Sequence, residues 1–348
     1  MQKTLLLAKK GLGRTYPNPV VGAVIIKNGA VIGSGYHHQA GVAHAEIEAL
    51  RSCKASTRGA ILYVNLEPCA HQGKTPPCVD AIIAAGISQV VCATLDPNPL
   101  VSGKGVAYLR RAGLKVTVGL LEPQTKALNE AYFMFHTEHR PFIAIKFAAS
   151  LDGKIATASH DSKWITNKTA RDYARKLRGH YQAVLVGVNT VIQDNPHLGS
   201  YHDPLRIILD SSLRTPLESQ VFRDSNVLIV TTKRAPAENL QAFASKNITV
   251  LQLPSQQIKL ESLLKELAKR DIVSIFVEGG GSVLGSFVDK QLVDRLYAFY
   301  GPLIIGGQAS IPAVAGEGAA QVAQSLQLNR LRVRRFDDTF LISGYPKN

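Results

Sequence analysis

Residues 67–78 read EPCAHQGKTPPC and follow an HAE triplet at residues 44–46. The β-branched run Ile61–Leu66 predicts a strand directly before the longer stretch. Helical periodicity begins near Ala43 and again just after Cys78, so the HAE triplet and the second cysteine both lie at predicted helix starts. This order of strand, cysteine-bearing loop and helix predicts an α/β fold for the surrounding sequence.

The same alternation of strands and helices continues on both sides of this stretch. Further β-branched runs occur at Val20–Ile26, Val90–Leu95 and Lys115–Val118, and helical patterns recur at Val106–Ala112 and Gln124–His136. Short strands separated by helices are typical of an α/β sandwich. We therefore predict one α/β domain in the first part of the chain.

A domain boundary is predicted near Arg140, where His139-Arg140-Pro141 interrupts the helical pattern and a new strand begins at Phe142. At 348 residues the chain is long enough for two domains with separate cores. Strands are predicted after the boundary at Ala183–Val188, Leu205–Leu209, Val227–Thr231, Ile248–Leu251, Val273–Val277 and Arg295–Tyr300, and helices at Thr169–Arg178, Ile258–Lys269 and Val283–Lys290. The predicted domains are residues 1–140 and 141–348.

The composition argues against several classes of protein. Hydrophobic residues make up 45% and charged residues 19% of the chain, which argues against disorder, and no apolar run approaches the roughly 18 residues of a membrane span. Four cysteines are too few for a disulfide framework. We expect a soluble, cytoplasmic protein. The net charge of +14 indicates either a solvated basic surface or anionic, phosphate-bearing substrates.

A zinc site is the functional interpretation of the opening motif. A catalytic zinc has three protein ligands, an open position for water, and a nearby carboxylate that carries protons without binding metal. His44, Cys69 and Cys78 are the predicted ligands, and Glu46 is the predicted proton carrier. Taken singly, the histidine could lie on a helix surface and the cysteines in the core, as we expect for Cys53 and Cys92.

The long insert between Cys69 and Cys78 resembles the bifunctional deaminase/reductase family of riboflavin biosynthesis. Thr15–Val24 and Asp96–Gly105 are similar to other blocks of its deaminase half. The resemblance implies a cytidine-deaminase-like α/β/α sandwich at the N-terminus. It also implies that the pyrimidine and its ribose phosphate are held by Asn18, His37, His71 and Lys74.

The second half resembles the reductase domain of the same family, which has a dihydrofolate-reductase-like fold. The resemblance lies in Lys146–Ala156 and Ser162–Thr166, together with the glycine-rich stretch Val277–Gly285. It implies that NADPH contacts Ala148, Trp164, Thr190, Asp194, and a phosphate loop of Gly280, Gly281, Ser282, Val283, Leu284, Gly285 and Ser286. It implies substrate contacts at Ser162, Arg178, Leu198 and Glu278, and we add Lys146 as a candidate.

Several of these residues have a simpler interpretation. Trp164 could be a core aromatic residue, and Arg178 could be a solvated charge rather than an anchor for the substrate phosphate. Glu278 ends a buried-looking strand, where an unpaired carboxylate would be costly. The family usually carries an arginine at the position of Tyr201, so a phosphate-binding cation is missing there. Arg206 or His202 are possible substitutes.

The resemblance implies a two-step function. Zinc-dependent hydrolytic deamination of 2,5-diamino-6-(5-phosphoribosylamino)pyrimidin-4(3H)-one is followed by NADPH-dependent reduction of the ribosyl side chain, which gives 5-amino-6-(5-phosphoribitylamino)uracil. The protein would place the nicotinamide against C1′ of the opened ribose. Asp194 and Lys146 are the candidate proton donors for the reduction.

Two alternatives remain at this point. The first is a zinc deaminase of another base or of tRNA, with an accessory second domain. The second is a non-catalytic zinc-bearing nucleic-acid-binding protein, although a structural zinc would prefer four protein ligands and has no use for Glu46. We expect small phosphorylated pyrimidines as partners, without nucleic acid or membrane, and a homodimer or homotetramer.

Overall fold

The computed structural model describes residues 1–72 and 76–347. The chain divides into two compact units, Met1–Arg140 and Pro141–Asn348. Within the described part of the chain, no helix is long and apolar enough to cross a membrane.

The first unit is built on a five-stranded sheet in the order β2-β1-β3-β4-β5. β1 pairs antiparallel with β2 and β3, while β3, β4 and β5 run parallel. Its strands are β1 Gly22–Lys27, β2 Ala30–Tyr36, β3 Ile61–Val64, β4 Gln89–Cys92 and β5 Lys115–Val118. Its helices are α1 Gln2–Ala8, α2 Ala45–Arg51, α3 Cys78–Ala84, α4 Lys104–Arg111, α5 Glu122–Leu128 and α6 Glu130–Glu138, with a short 3₁₀ helix at Lys9–Gly11.

The core of this unit lies between the sheet and its helices. Fully buried strand residues such as Ile25 and Leu62 belong to one cluster with Ile82 of α3 and Leu109 of α4. Apolar burial of this kind is the main favourable contribution to folding, and it fixes where the first turns of α2 and α3 lie relative to the sheet.

The second unit is built on a nine-stranded sheet in the order β11-β10-β9-β8-β12-β6-β13-β16-β15. Its strands are β6 Phe142–Ala149, β7 Lys154–Ala156, β8 Ala183–Gly187, β9 Leu205–Leu209, β10 Val227–Thr231, β11 Thr249–Gln252, β12 Ser274–Val277, β13 Arg295–Tyr300, β14 Ile311–Pro312, β15 Leu328–Phe336 and β16 Thr339–Pro346. Its helices are α7 Lys168–Arg178, α8 Val188–Asp194, α9 Ala237–Ser245, α10 Leu260–Ala268 and α11 Gly281–Asp289, with 3₁₀ helices at Gln220–Phe222 and Val322–Gln324. β7 and β14 form a separate two-stranded sheet.

Seven neighbouring strands of the large sheet, from β11 to β13, run parallel. β8 and β12 are buried along their whole length, as expected for central strands covered by helices on both faces. Residues that follow these strands therefore emerge at one edge of the sheet, where parallel α/β proteins place their ligands.

The predicted helix Gln124–His136 is wrong in one respect, because two helices separated at Asn129 occupy this region. The Asn129 side chain is buried, accepts a hydrogen bond from the Val20 N–H at 2.8 Å and donates one to the Val20 carbonyl at 3.1 Å. This bonding to the segment just before β1 holds Asn129 at φ −109°, outside helical geometry, and ends α5. Periodicity along the sequence carries no sign of such a contact.

Packing around α11 predicts a sensitive glycine. A β-carbon at Gly285 would lie 1.6 Å from the carbonyl oxygen of Ala315. We expect Gly285→Ala to destabilise the second unit by about 1–3 kcal/mol, because α11 must shift to relieve the overlap. The control Ser286→Ala, at an exposed position of the same helix, should stay within about 0.5 kcal/mol. Urea unfolding followed by the fluorescence of Trp164, the single tryptophan, measures both; equal effects would contradict the prediction.

Candidate active sites

Three side chains of the first unit converge as the sequence predicts. His44 is the N-cap of α2, Cys78 is the first residue of α3, and Cys69 lies in the connection after β3. His44 Nδ1 is 3.5 Å from Cys69 Sγ and 3.3 Å from Cys78 Sγ. The cluster therefore brings one imidazole and two thiols to a single point.

The geometry of this cluster fits zinc. The candidate ligand atoms lie within 4.8 Å of one another, and tetrahedral zinc bonds would place them roughly 3.6 Å apart. One nitrogen and two sulfur atoms leave a fourth tetrahedral position free, which is the arrangement of a catalytic site. The donor set and the spacing therefore both support zinc at His44, Cys69 and Cys78.

A hydrogen bond between the two thiols shifts the pKa of each. The pKa of Cys69 is lowered to about 4, mainly by its hydrogen bond with Cys78 and also by His44. The pKa of Cys78 is raised because its thiol donates a hydrogen bond to the Cys69 thiolate and because the thiol is buried. Metal binds thiolates, so zinc would displace the proton that the two sulfur atoms share.

Glu46 lies two residues after His44, in the first turn of α2, and its side chain is only 3% exposed. Burial raises its pKa to about 7, although the charge of His44 opposes this rise. A carboxyl group with a pKa near neutrality can both accept and release a proton, which is what a general acid and base requires.

Asn18 and His37 form a pair beside the cluster. His37 Nδ1 is 3.1 Å from the Ala43 carbonyl, and His37 Nε2 is 3.2 Å from Asn18 Nδ2. Burial lowers the pKa of His37, so the neutral ring donates through Nδ1 and accepts from Asn18. Within residues 1–72 and 76–347 the amide oxygen of Asn18 has no hydrogen-bond partner, so it can accept one from a ligand. His37 is almost fully buried, so it positions Asn18.

The other two predicted substrate contacts fall in the cysteine-bearing loop. His71 is exposed. Burial raises the pKa of the neighbouring Asp96 to about 6, and the charge of His71 opposes this rise. Lys74 lies outside the described residues.

A buried group of polar residues that sequence reasoning did not single out lies next to this loop. The Glu67 carboxylate accepts the backbone N–H groups of Asp96, Gly103 and Val106 at 3.2, 2.8 and 3.0 Å. Tyr132 donates to Asp96 Oδ1 at 2.9 Å. The only signal in the sequence was that Glu67 precedes Pro68-Cys69, and this carboxylate fixes the residue before the metal ligand loop to the start of α4.

The second unit contains a cavity of about 900 Å³ at the edge where the parallel strands end. Nine of the predicted reductase residues line it: Lys146, Ala148, Ser162, Trp164, Arg178, Thr190, Asp194, Leu198 and Glu278. Residues that sequence reasoning missed also line it, among them Lys163, Arg171, Arg175, His197 and Arg223. The spacing of Arg171, Ala174, Arg175 and Arg178 is a signal that could have found the arginines, since it marks one helical face.

The lining of the cavity includes a carboxylate that forms ion pairs with two cationic side chains. Arg178 donates to Glu278 through Nε at 2.6 Å and Nη2 at 2.9 Å, and Lys146 Nζ lies 3.5 Å from Glu278 Oε2. Burial alone would raise the pKa of Glu278, but the two cations lower it to about 2. The carboxylate is therefore paired and ionised.

Arg178 is bonded within the protein rather than solvated. Its third nitrogen, Nη1, donates to the Gly199 carbonyl at 2.8 Å, so each nitrogen of the guanidinium makes one hydrogen bond. Within the described residues, two of its five N–H groups remain for a ligand. This interpretation replaces the solvated charge considered from sequence. Arg178 joins the end of α7 to β12 and to the loop that follows α8.

Trp164 is not a core residue. Its side chain is 65% exposed, it lines the cavity, and the Arg171 guanidinium lies 4.1 Å from the ring centroid. A cation over one face leaves the aromatic ring fixed in orientation at the cavity wall. This placement supports a ligand-binding role for the tryptophan.

Tyr201 lies in the segment of residues 196–203, called here the 196–203 loop. It occupies the position where the resemblance leads us to expect an arginine. Arg206 is not a substitute for the missing arginine, because its side chain is fully buried. It pairs with Asp203 and Asp224 and donates to the Val221 carbonyl at 2.9 Å. His202 is half-buried, and the described lining of the cavity does not include it.

The glycine-rich stretch places α11 as predicted, with Gly280 at φ +52° as its N-cap. A β-carbon at Gly280 would lie 3.5 Å from Thr190 Oγ1, so the start of α11 adjoins a residue of the cavity. Leu284 is 1% exposed and packs in the core, and Gly285 packs against Ala315. Of the predicted phosphate-loop residues, those in the first turn of α11 are therefore left to contact a phosphate.

Comparisons with known proteins agree with this geometry. Residues 1–94 match the family described as the cytidine and deoxycytidylate deaminase zinc-binding region, and residues 141–342 match the RibD C-terminal domain. A riboflavin biosynthesis protein RibD of Aquifex aeolicus is 44% identical over 98% of this chain and 96% of that protein. One from Synechocystis is 42% identical over 99% and 95%.

The chain belongs to the RibD family. Solved RibD structures are also similar: one from Acinetobacter baumannii has a TM-score of 0.91 at 34% identity and covers 100% of this chain and 98% of its own. A deaminase/reductase of Thermotoga maritima has a TM-score of 0.87 at 38% identity and covers 100% and 97%.

Family membership confirms the predicted fold class, a cytidine-deaminase-like domain followed by a dihydrofolate-reductase-like domain. Like other RibD proteins, the chain is a bifunctional deaminase and reductase of riboflavin biosynthesis, with zinc and NADPH as cofactors. A base or tRNA deaminase with an accessory domain and a non-catalytic zinc protein are both excluded by this result.

The cluster of His44, Cys69 and Cys78 in this RibD protein predicts which cysteines bind zinc. We expect Cys78→Ser to lower bound zinc from about one ion per chain to a small fraction, because hydroxyl is a far poorer zinc ligand than thiolate. The matched control Cys53→Ser should retain zinc, since Cys53 instead bonds the Ala49 carbonyl. Metal analysis of the purified proteins measures both. Zinc retained in Cys78→Ser would contradict the site.

The charge cluster of the reductase cavity predicts a pH dependence. The pKa of Glu278 is lowered from the ordinary 4.5 to about 2 in the folded protein. The stabilising effect of its charge is therefore complete above pH 4.5 and is lost as the pH falls towards 2. Glu278→Gln should cost about 3–5 kcal/mol at pH 7, because two buried cations lose their partner, and the difference from wild type should shrink at pH 3.

Urea unfolding at both pH values, followed by Trp164 fluorescence, measures this difference. Glu266→Gln is the matched control, since Glu266 pairs with Lys269 at the surface and should change stability by less than about 1 kcal/mol. A difference for Glu278→Gln that does not change with pH would contradict the assignment.

Proposed function

We propose that this enzyme deaminates 2,5-diamino-6-(5-phosphoribosylamino)pyrimidin-4(3H)-one and then reduces its ribosyl side chain, giving 5-amino-6-(5-phosphoribitylamino)uracil. The observation that carries the proposal is that one RibD chain contains both a zinc-type cluster with the buried Glu46 and a cavity lined by Trp164 and a buried charge cluster. We assign the first reaction to residues 1–140 and the second to residues 141–348.

In the deaminase site, His44, Cys69 and Cys78 would hold zinc, which supplies a Lewis acid that activates water at neutral pH. The Asn18 amide oxygen accepts a hydrogen bond from the pyrimidine edge, and His37 keeps that amide in place. Water adds to the ring carbon that bears the exocyclic amine. Glu46 takes one proton from this water and delivers it to the exocyclic nitrogen, which leaves as ammonia, and the second proton passes to the ring nitrogen as the carbon becomes a carbonyl.

In the reductase site, NADPH supplies the hydride that C1′ of the opened ribose accepts. Ala148, Trp164, Thr190, Asp194 and the first turn of α11 would contact the cofactor. Ser162, Leu198 and the Arg178–Glu278 pair would shape the substrate side of the cavity. Lys146 and Asp194 both line the cavity and are the two candidate proton donors.

We further infer that the enzyme acts in the cytoplasm as a homo-oligomer. Its substrates are small anionic metabolites, and this suits the net charge of +14.

The proposal is tested by following ammonia release and NADPH oxidation separately in the full-length zinc enzyme. Glu46→Gln should lower ammonia release by about 10²- to 10⁴-fold, because the proton carrier is lost. It should retain zinc and oxidise NADPH normally when the deaminated intermediate is supplied.

Glu48→Gln is the matched control, since Glu48 lies on the same helix in a surface pair with Arg51, and both activities should persist. A wild-type enzyme that releases no ammonia from the diaminopyrimidinone would refute the substrate assignment. Loss of both activities in Glu46→Gln with the intermediate supplied would refute the division between the two units.

A further inference from the structure

The orientation of Trp164 in the reductase cavity depends on one neighbouring side chain. Its own side chain is 65% exposed, so packing alone does not fix the indole ring. Among the residues that the structure describes, the ring makes one contact with another ring or a cation, and this is the Arg171 guanidinium at 4.1 Å from its centroid. An exposed tryptophan without such a contact would sample several rotamers.

The backbone on the C-terminal side of Trp164 is fixed independently of the ring. Ile165 and Thr166 are buried, and a β-carbon at Gly301 would lie only 1.7 Å from the Ile165 carbonyl oxygen. Asn167 is the N-cap of α7, and its side chain donates to the turn between β15 and β16. The side-chain torsions of Trp164 are therefore the freedom that a neighbouring group must restrict.

Arg171 is suited to restrict these torsions because it contacts both the ring and the backbone of the same segment. Its Nη1 donates to the carbonyl of Thr166, two residues after the tryptophan. It is half-buried near the start of α7 and lines the cavity. The guanidinium is thus anchored while it covers one face of the indole, and the opposite face is left for a ligand.

We propose that Arg171 is a positioning residue for the cofactor of the reductase. It holds the indole of Trp164 so that a planar ring of NADPH stacks on the uncovered face. A ring that is already oriented loses less rotational freedom when the cofactor binds, so Arg171 increases the affinity for NADPH through the tryptophan. This inference rests on the proposed function, which assigns NADPH to this cavity.

A direct bond from Arg171 to a cofactor phosphate is the competing explanation. Arg171 makes one hydrogen bond in the described part of the chain, so four of its five N–H groups remain for a ligand. A bond from the guanidinium to a phosphate would also increase the affinity for NADPH. The two explanations differ in whether the effect of Arg171 requires Trp164.

The test measures the orientation of Trp164 and the affinity for NADPH in the full-length zinc enzyme. All tryptophan fluorescence comes from this residue. Arg171→Gln should lower the fluorescence anisotropy, because the ring gains rotational freedom. It should also raise the Kd for NADPH, measured by calorimetry, about 3- to 20-fold, the worth of a cation–π contact.

Lys168→Gln is the matched control, because it removes the same charge from α7 three residues earlier. Lys168 is exposed in a surface pair with Asp172, so the anisotropy and the Kd should both stay as in wild type.

A double-mutant cycle separates positioning from direct contact. Trp164 is exposed, so Trp164→Leu should fold. In that background Arg171→Gln should change the Kd for NADPH less than about twofold, because the ring that it orients is gone. A full loss of affinity in that background would show a direct contact and overturn the proposal.

Wild-type anisotropy or a wild-type Kd in Arg171→Gln would overturn it as well. In any of these cases a wild-type enzyme that reduces the intermediate with NADPH leaves the proposed function standing. A wild-type enzyme that does not reduce it refutes the proposed function itself.

Discussion

The reductase cavity depends on one buried carboxylate, that of Glu278. It follows the central strand β12 and is 8% exposed, so its charge would be untenable without partners. Arg178 brings the end of α7 to it, and Lys146 brings β6. Through its remaining nitrogen Arg178 also holds the 196–203 loop. Strand, helix and loop therefore take their relative positions from a single set of charge-assisted hydrogen bonds.

The deaminase site is also ordered by a buried carboxylate, but different groups form its hydrogen bonds. Two helix starts and one strand end bring His44, Cys78 and Cys69 together, and Glu67 fixes the strand end by accepting three backbone N–H groups. In both units a buried carboxylate that lies within three residues of the end of a strand orders the surrounding loops. The difference is that Glu67 is satisfied by the backbone, whereas Glu278 is satisfied by cations that belong to the cavity itself.

The sequence predicted the strand and helix pattern, the convergence of His44, Cys69 and Cys78, and nine residues of the cavity lining, because these depend on local periodicity and on recognisable motifs. It could not reveal contacts between distant segments. The break at Asn129 depends on Val20, and the engagement of Arg178 depends on Glu278, which lies 100 residues away. The burial of Arg206 and the exposure of Trp164 have the same origin, since residue type alone favours the opposite in each case.

The 196–203 loop holds its shape through the carbonyls of His197 and Gly199, the hydroxyl of Ser200 and the carboxylate of Asp203. Position 201 lies between these attachment points without being one of them. Selection for a folded loop therefore places little demand on the residue at 201, and that residue is free to drift. A change of the side chain at 201 therefore alters what the cavity wall presents to a ligand, while the backbone of the loop keeps its attachments.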